Sequence, residues 1–252
     1  LGNIGRDNPT IDAGLKGIPQ YGSIGDYVFE DKDNSNTQTA GDLPVKGVKV
    51  YLLDAVTAAK LDSTLTDGLG KYLFDSLLTG SYKVKFVAPA GMIGAKQNIG
   101  SDLTDSDANK ATGFSQVINI NTALLATDTL RNNPQIDAGF VPVGSLGDYV
   151  FNDNDGSGTQ NAGDTPVVGI KVYLLDGITG AKLDSTLTDA SGKYNFPNLV
   201  SGSYKVKFVL PVGSVATDKF IGGNTATDSN INPDGSTDAI IIDATQPLGS
   251  VA

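Results

Sequence analysis

Two twelve-residue runs carry most of the chemistry available to this chain. The first reads Asp31-Lys-Asp-Asn-Ser-Asn-Thr-Gln-Thr-Ala-Gly-Asp42, and the second Asp153-Asn-Asp-Gly-Ser-Gly-Thr-Gln-Asn-Ala-Gly-Asp164. Oxygen-bearing groups fall at positions 1, 3, 5, 7, 9 and 12, the spacing with which a loop wraps a calcium ion. In the second run the ligand set is Asp153, Asp155, Ser157, the Thr159 carbonyl, Asn161 (directly or through a water) and Asp164. Gly158 stands at the sharp turn of position 6. In the first run the set is Asp31, Asp33, Ser35, the Thr37 carbonyl, Thr39 and Asp42. Asn36 replaces the turn glycine there, and Asn tolerates the left-handed region. Asp at position 12 is one methylene shorter than the usual Glu, and Ser replaces an acid at position 5. Both changes weaken the set and predict dissociation constants of about 10⁻⁴–10⁻³ M, as in extracellular modules.

Other chemistries are excluded by what is absent. The 252-residue chain has no Cys and no His. That removes disulfides, thiol nucleophiles, Ser-His-Asp triads and imidazole zinc sites. Gly192-Lys193 lacks the remainder of a phosphate loop and precedes a strand rather than a helix. Paired carboxylates raise glycoside hydrolysis, but these acids lie in hydrophilic turns and no aromatic sugar cleft accompanies them. The chain therefore reads as non-catalytic. A net charge of −10 disfavours nucleic acid and anionic membranes as partners. No apolar run is long enough to span a bilayer. Glu30 is the only Glu; the remaining acid is Asp, which suits turns and oxygen ligation better than helices.

A second acidic cluster follows each loop: Asp102-Leu-Thr-Asp-Ser-Asp107 and Asp228-Ser-Asn-Ile-Asn-Pro-Asp234. Spacing by two sets Asp105 with Asp107, and Asp228 with Asn230, on one side of an extended strand. These are weaker metal candidates, and a solvated turn is the competing reading. Asp26 and Asp148 either join a metal cluster or cap a strand.

The loops repeat because the chain repeats. Gly22 to Pro89 reappears as Gly144 to Pro211 without a gap, with roughly 70% of residues identical. Short apolar runs alternate with Gly, Asn, Asp and Pro clusters every 8–12 residues or so, which predicts an all-β chain of two tandem Greek-key sandwiches, immunoglobulin-like or prealbumin-like. Strands are predicted at 23–29, 47–53, 60–66, 71–75, 81–87, 114–120 and 135–140, with one weak helical pattern at 122–130. Tyr82, Val84 and Phe86 alternate with Lys83 and Lys85, giving one buried and one solvated face. Asp67–Gly70 and Asp189–Gly192 read as hairpin turns with Gly at positive φ. Phe114 and Phe220 are expected in the core.

The ends are offset. Asn8-Pro-Thr-Ile-Asp-Ala-Gly-Leu15 matches Asn133-Pro-Gln-Ile-Asp-Ala-Gly-Phe140, which closes the first copy. The expected organisation is a terminal strand at 1–15 belonging to a preceding or neighbouring domain, one calcium-binding sandwich at 16–140, and a second at 141–252 lacking its last strand. The Lys16–Tyr21 tether reaches about 20 Å, too short to pass a domain about 35–40 Å long. Two readings remain. The chain is a piece of a longer array, or Ile11–Leu15 completes the second copy of a neighbouring molecule by strand addition, building a head-to-tail fibre.

The run at 147–164, with Thr188–Phe196, Leu199–Phe208 and their first-copy equivalents, resembles the calcium-binding B domains of serine-aspartate-repeat bacterial surface proteins. The resemblance covers both copies nearly end to end. It implies a sandwich related to collagen-adhesin B-type domains, strung in tandem outside a bacterial cell, with calcium stiffening the stalk. Phe29 and Phe151 depart from the Trp usual in that family. Some relatives carry Lys–Asn or Lys–Asp crosslinks assisted by a buried acid. Asp12, Asp137, Lys49 and Lys171 are the residues to consider, but no catalytic Glu is available, and a crosslink is not expected. The first functional reading is a calcium-rigidified structural repeat of an adhesin or fibre. The alternative is a module that recognises a surface protein or glycan directly.

Overall fold

The computed structural model describes residues 18–246 apart from 222 and 225. In the first copy the strands are β1 Gly22–Glu30, β2 Leu43–Pro44, β3 Lys49–Asp54, β4 Lys60–Leu65, β5 Lys71–Leu77, β6 Gly80–Phe86, β7 Met92–Gly94, β8 Ile118–Ile120, β9 Asn132–Asn133 and β10 Ala138–Pro142. In the second they are β11 Gly144–Tyr149, β12 Phe151–Asn152, β13 Thr165–Pro166, β14 Lys171–Asp176, β15 Lys182–Leu187, β16 Lys193–Leu199, β17 Gly202–Phe208 and β18 Ile240–Ile242. Every regular element among the described residues is a strand, as the short alternating runs predict.

The first copy is a two-layer sandwich. One layer is the sheet β4-β3-β6-β8; the other is built around β1, which pairs with β2, β5, β9 and β10. Alternation sets the core. Val50 and Leu52 of β3, Val84 and Phe86 of β6, and Ile24 and Val28 of β1 all point inward and are buried. The core is tied by a T-shaped Tyr72–Phe86 pair with ring centroids 5.4 Å apart. Tyr72 keeps its hydroxyl satisfied by donating to the Ile136 carbonyl at 2.7 Å. The second copy repeats the sheet β15-β14-β17-β18 and the pairings β11-β16 and β12-β13. The Tyr194–Phe208 pair at 5.3 Å takes the place of Tyr72–Phe86.

The hairpin turns form as expected, with Gly70 and Gly192 each at φ 74°. A Cβ on Gly70 would meet the Val28 carbonyl oxygen at 2.6 Å, so the turn needs glycine for space as well as φ.

Three expectations require correction. The helical pattern at 122–130 is a series of turns, held where Arg131 donates to the Leu124 carbonyl and to Gln20. The strand expected from Phe114 begins only at Ile118. Phe114 itself is half-buried and makes an isolated bridge to Lys85. Phe220 is 54% exposed at φ 60°, on a loop with the Lys219 ammonium above its ring, and is not core.

The closing strand distinguishes the copies. β10 runs parallel to β1, with Val28 opposite Ala138, Phe29 opposite Gly139 and Glu30 opposite Phe140. Gly139 is required there, since a Cβ would lie 2.7 Å from the Phe29 ring. Phe29 and Phe140 are consequently buried. Among the described residues no strand occupies this position in the second copy, and Phe151 is only half-buried. The motif at 8–15 lies outside the described residues.

Candidate metal loops

Each acidic run leaves the sandwich between two strands that pair at its base. In the first copy Phe29 pairs with Pro44 and Glu30 with Leu43; in the second Phe151 pairs with Pro166 and Asn152 with Thr165. A buried threonine fixes the exit. Thr66 Oγ accepts from Val48 N–H at 2.9 Å and donates to the Val45 carbonyl at 2.6 Å. Thr188 does the same with Ile170 and Val167. The loop ends are thus pinned to the sheet, which lets a twelve-residue excursion hold one shape.

Within each loop the carboxylates converge. Oxygens of Asp31, Asp33 and Asp42 lie within 4.8 Å of one another, as do those of Asp153, Asp155 and Asp164. Position 1 organises the turn. Asp31 accepts Ser35 N–H and Asn36 N–H, both at 2.9 Å. Asp153 accepts Ser157 N–H at 3.0 Å and Gly158 N–H at 2.9 Å. Position 12 closes the ring: Asp42 accepts from Lys32 N–H at 3.0 Å and Thr39 N–H at 2.8 Å, and Asp164 from Asn154 and Asn161 N–H. The remaining donors of oxygen are in register. Ser35 Oγ donates to the Thr37 carbonyl at 2.9 Å, and Ser157 Oγ to the Thr159 carbonyl at 3.0 Å. Thr39 reaches Asp33, and Asn161 Nδ2 reaches Asp155. The donor set is all oxygen, multiply anionic and loop-borne, which fits a hard divalent cation such as calcium.

Position 6 has the backbone expected. Asn36 sits at φ 66° and Gly158 at φ 74°. Asn36 Oδ1 also accepts from Lys96 N–H at 2.8 Å, a contact that the loop sequence does not announce. Thr217 is another unannounced partner: its hydroxyl donates to Asp153 in a short hydrogen bond. It lies 64 residues away, and no local signal marks it.

The second clusters split. Asp105 is buried and bridges Thr37, so its backbone lies against the first loop, and one of its carboxylate oxygens has no partner. Asp107 instead turns to the closing strand, accepting Asp137 N–H at 2.7 Å. Asp137 in turn accepts Tyr27 N–H at 3.0 Å. Burial, reinforced by neighbouring Asp26, pushes the Asp137 carboxyl up to about 8. Burial likewise pushes Asp107 to about 7. In the second copy Asp228 bridges Thr159, and exposed Asn230 donates to Asp228 at 3.3 Å. The convergence of three acids seen in the loops does not extend to Asp105, Asp107, Asp228 or Asn230 among the described residues. Asp26 pairs with Lys71 at 3.2 Å. Lys49 and Lys171 face outward, each with its ammonium over a neighbouring Tyr ring. Asp137 sits in the opposite layer, so these are not crosslink partners.

The SdrD B-like domain family matches this chain twice, over residues 22–140 and 144–249. The serine-aspartate repeat-containing protein F of Staphylococcus epidermidis is 36% identical over 225 residues, which is 89% of this chain and 12% of that protein. The serine-aspartate repeat-containing protein C of Staphylococcus aureus strain Newman is 38% identical over 224 residues, 88% of this chain and 22% of that protein. The chain therefore spans less than a quarter of the length of either relative. Similar solved structures include a streptococcal ancillary pilin, at 14% identity and TM-score 0.35 over 90% of this chain and 60% of that one. The full-length major pilin SpaD of Corynebacterium diphtheriae is similar at 13% identity and TM-score 0.36, over 79% of this chain and 64% of that one. With the family matched along both copies and relatives more than a third identical across most of its length, the chain belongs to the SdrD B-like domain family.

Proposed function

We propose that each loop binds one calcium ion and that the ion stiffens a non-catalytic surface repeat. Family membership makes this an extracellular cell-surface segment. The observation that carries the calcium reading is the convergence of three carboxylates in both loops, on hairpin ends pinned by a buried Thr. The ligands are Asp31, Asp33, Ser35, Thr37, Thr39 and Asp42 in one copy, and Asp153, Asp155, Ser157, Thr159, Asn161 and Asp164 in the other. Three anions held this close repel one another, and a divalent ion removes that repulsion. Binding to the folded state alone adds RT ln(1 + [Ca]/Kd), about 2.7 kcal/mol at a hundredfold excess over Kd. Calorimetric titration with calcium should give two sites near millimolar affinity. A melting temperature indifferent to calcium and to chelator would refute the reading.

The units are taken as 16–140 and 141–252. For the second unit we propose a closing strand in the place that β10 holds in the first, supplied by Ile11–Leu15 of a neighbouring copy. Support comes from the shared Ile-Asp-Ala-Gly sequence and from the fit of Gly139 against Phe29. Removal of residues 1–15 should abolish calcium-dependent filaments seen by electron microscopy while the first copy stays folded. Filaments that persist would assign the strand to another source.

A further inference from the structure

The lysines of this acidic chain are not scattered. In β3, Val50 and Leu52 point into the core, so Lys49 and Tyr51 point out. In β6, Val84 and Phe86 point in, so Lys83 and Lys85 point out. The register brings these together: Tyr51 lies opposite Lys85, and Leu53 opposite both Lys83 and Lys60. The Lys60 ammonium sits 4.9 Å from the centre of the Tyr51 ring, and the Lys49 ammonium 5.7 Å. Two cations thus stand over one tyrosine, and Lys83 and Lys85 share its outer face, the Lys85 ammonium lying 4.9 Å from the centre of the Phe114 ring.

The second copy builds the same face. Tyr173 lies opposite Lys207, and Leu175 opposite Lys205 and Lys182. Lys182 and Lys171 stand over the Tyr173 ring at 4.8 and 5.9 Å.

These cations lack acidic partners. Among the described residues the ion pairs are Lys71–Asp26 and Lys219–Asp238, and neither involves the face. Asp62 and Asp184, on the adjacent edge strands, turn their carboxylates to the N–H of Ser63 and Ser185. Asp54 and Asp176 are occupied by the turns at Thr57 and Thr179. Asp234 and Asp238 approach Lys207 and Lys205 in the second copy only. Like charges side by side on one sheet face are unfavourable unless something neutralises them. A chain of net charge −10 has acid to spare, yet places it at the loops.

We infer that the outer face of the sheet β4-β3-β6-β8, centred on Tyr51 and Lys83, Lys85, Lys49 and Lys60, binds an acidic polysaccharide, and that the face around Tyr173 binds the next stretch of it. The lysines pair with carboxylate or phosphate groups, and the tyrosine ring packs against a sugar. Lys83 and Lys85 stand about 7 Å apart along the strand, so successive charges on a linear polymer can meet successive ammoniums. Duplication of the face at a fixed interval in the chain suits a repeating ligand and multiplies its affinity. Duplex DNA fits less well: it carries one charge per about 1.7 Å of its axis, and a chain of net charge −10 repels so dense a polyanion.

The test is binding of the full chain to immobilised polygalacturonate at about 20 mM salt, where screening is weak, with chelator present to keep calcium bridges out. Neutral dextran and duplex DNA are the comparison surfaces. Retention on polygalacturonate alone is expected, and it should fade as salt rises. Lys83→Glu with Lys85→Glu should weaken it at least about tenfold, more than Lys205→Glu with Lys207→Glu does, without shifting the melting temperature. If charge reversal unfolds a copy, Lys83→Gln with Lys85→Gln replaces it. Tyr51→Leu should weaken binding with the charge intact. The same binding is repeated with calcium in place of chelator; retention that appears only there and survives the lysine changes would put the polymer on the acidic loops and overturn the inference. So would equal retention on DNA, or none on polygalacturonate. Failure of the inference leaves the calcium reading standing, because calorimetry measures ion binding in the absence of any polymer.

Discussion

The two acidic loops share a sequence pattern and a hydrogen-bond pattern, yet their first aspartates live in different surroundings. Asp31 is fully buried, and that burial, only partly offset by the N–H of Asn36, pushes its carboxyl up to about 6. Asp153 is half-buried, and the Thr217 hydroxyl, with the N–H of Gly158 and Ser157, holds it below the ordinary carboxylate range. The loops themselves do not cause this difference. In the first copy β10 runs alongside β1, and the Phe140 carbonyl accepts Asp31 N–H at 2.9 Å. The strand that closes the sandwich therefore also walls the metal loop. In the second copy that wall is absent among the described residues, and a loop hydroxyl reaches the carboxylate instead. β10 pairs with Val28–Glu30, and Asp31, the first of the proposed ligands, follows directly, so strand closure and any ion in the loop should sense each other.

The largest effect expected from this difference is in packing. Phe29 is wholly buried under β10, and Phe29→Ala should cost about 3–5 kcal/mol, the usual range for a buried aromatic. Phe151→Ala should cost clearly less, because its ring is already half in water. Denaturant unfolding of the full chain, with tyrosine fluorescence reporting both copies, measures this. Equal costs would mean that β10 does not protect Phe29 in solution.

Next is the ion. Asp31→Asn and Asp153→Asn should each remove one site and its share of calcium-dependent stability, about 2.7 kcal/mol at a hundredfold excess. The first should also loosen the contact with β10, and so raise amide exchange along Ala138–Pro142. Calcium titration followed by hydrogen exchange separates the two. If Asp31→Asn leaves exchange in β10 unchanged, loop and strand are independent.

The buried carboxyl pair at the closing strand predicts a pH dependence stronger in the first copy than in the second, where burial raises the Asp148 carboxyl. Asp107 and Asp137 hold protons in the folded state, up to about 7 and about 8, that the unfolded chain releases near its ordinary carboxyl value. Their contribution is therefore whole in acid and falls as pH rises from about 4 through 8. In chelator the first copy should melt several degrees lower at pH 8 than at pH 5. Asp137→Asn, which keeps an acceptor for Tyr27 N–H, should flatten that slope. A slope unchanged by the substitution would assign it elsewhere.

Which of these features the sequence announces follows from distance along the chain. The hairpin glycines and the alternation of Tyr82, Val84 and Phe86 with lysine are local and form as read, and the equally local spacing of the acidic runs brings three carboxylates together in each loop. The parallel pairing of β10 with β1 joins residues 110 positions apart, and nothing local encodes it; only the repeated Ile-Asp-Ala-Gly marks the strand as important. The link from Asp107 to Asp137 is hidden for the same reason. Phe220 misleads because aromatic type suggests core, whereas its left-handed backbone belongs to a loop. Lys49 was the recoverable case. Val48, Val50 and Leu52 are buried around it, and period-two reasoning alone turns it outward, away from any crosslink.

The smallest effect tests position 6, one of two left-handed positions at which the first loop has Asn and the second Gly. Asn36→Gly relieves a left-handed backbone, which favours the variant by up to about 1 kcal/mol, but glycine also gains freedom in the unfolded chain, which offsets most of that. What remains is the lost acceptor for Lys96 N–H, worth about 0.5–1.5 kcal/mol. The net is a loss of under about 1 kcal/mol, with the calcium affinity of the first loop little changed. The reverse exchange is not its mirror image. A Cβ at Gly158 would meet Ile221 at 2.9 Å, so Gly158→Asn must displace a side chain and should cost more. Calorimetric melts of the two variants read the sign directly. If Gly158→Asn proves the milder change, the loop walls rather than the turn residues set the difference between the copies.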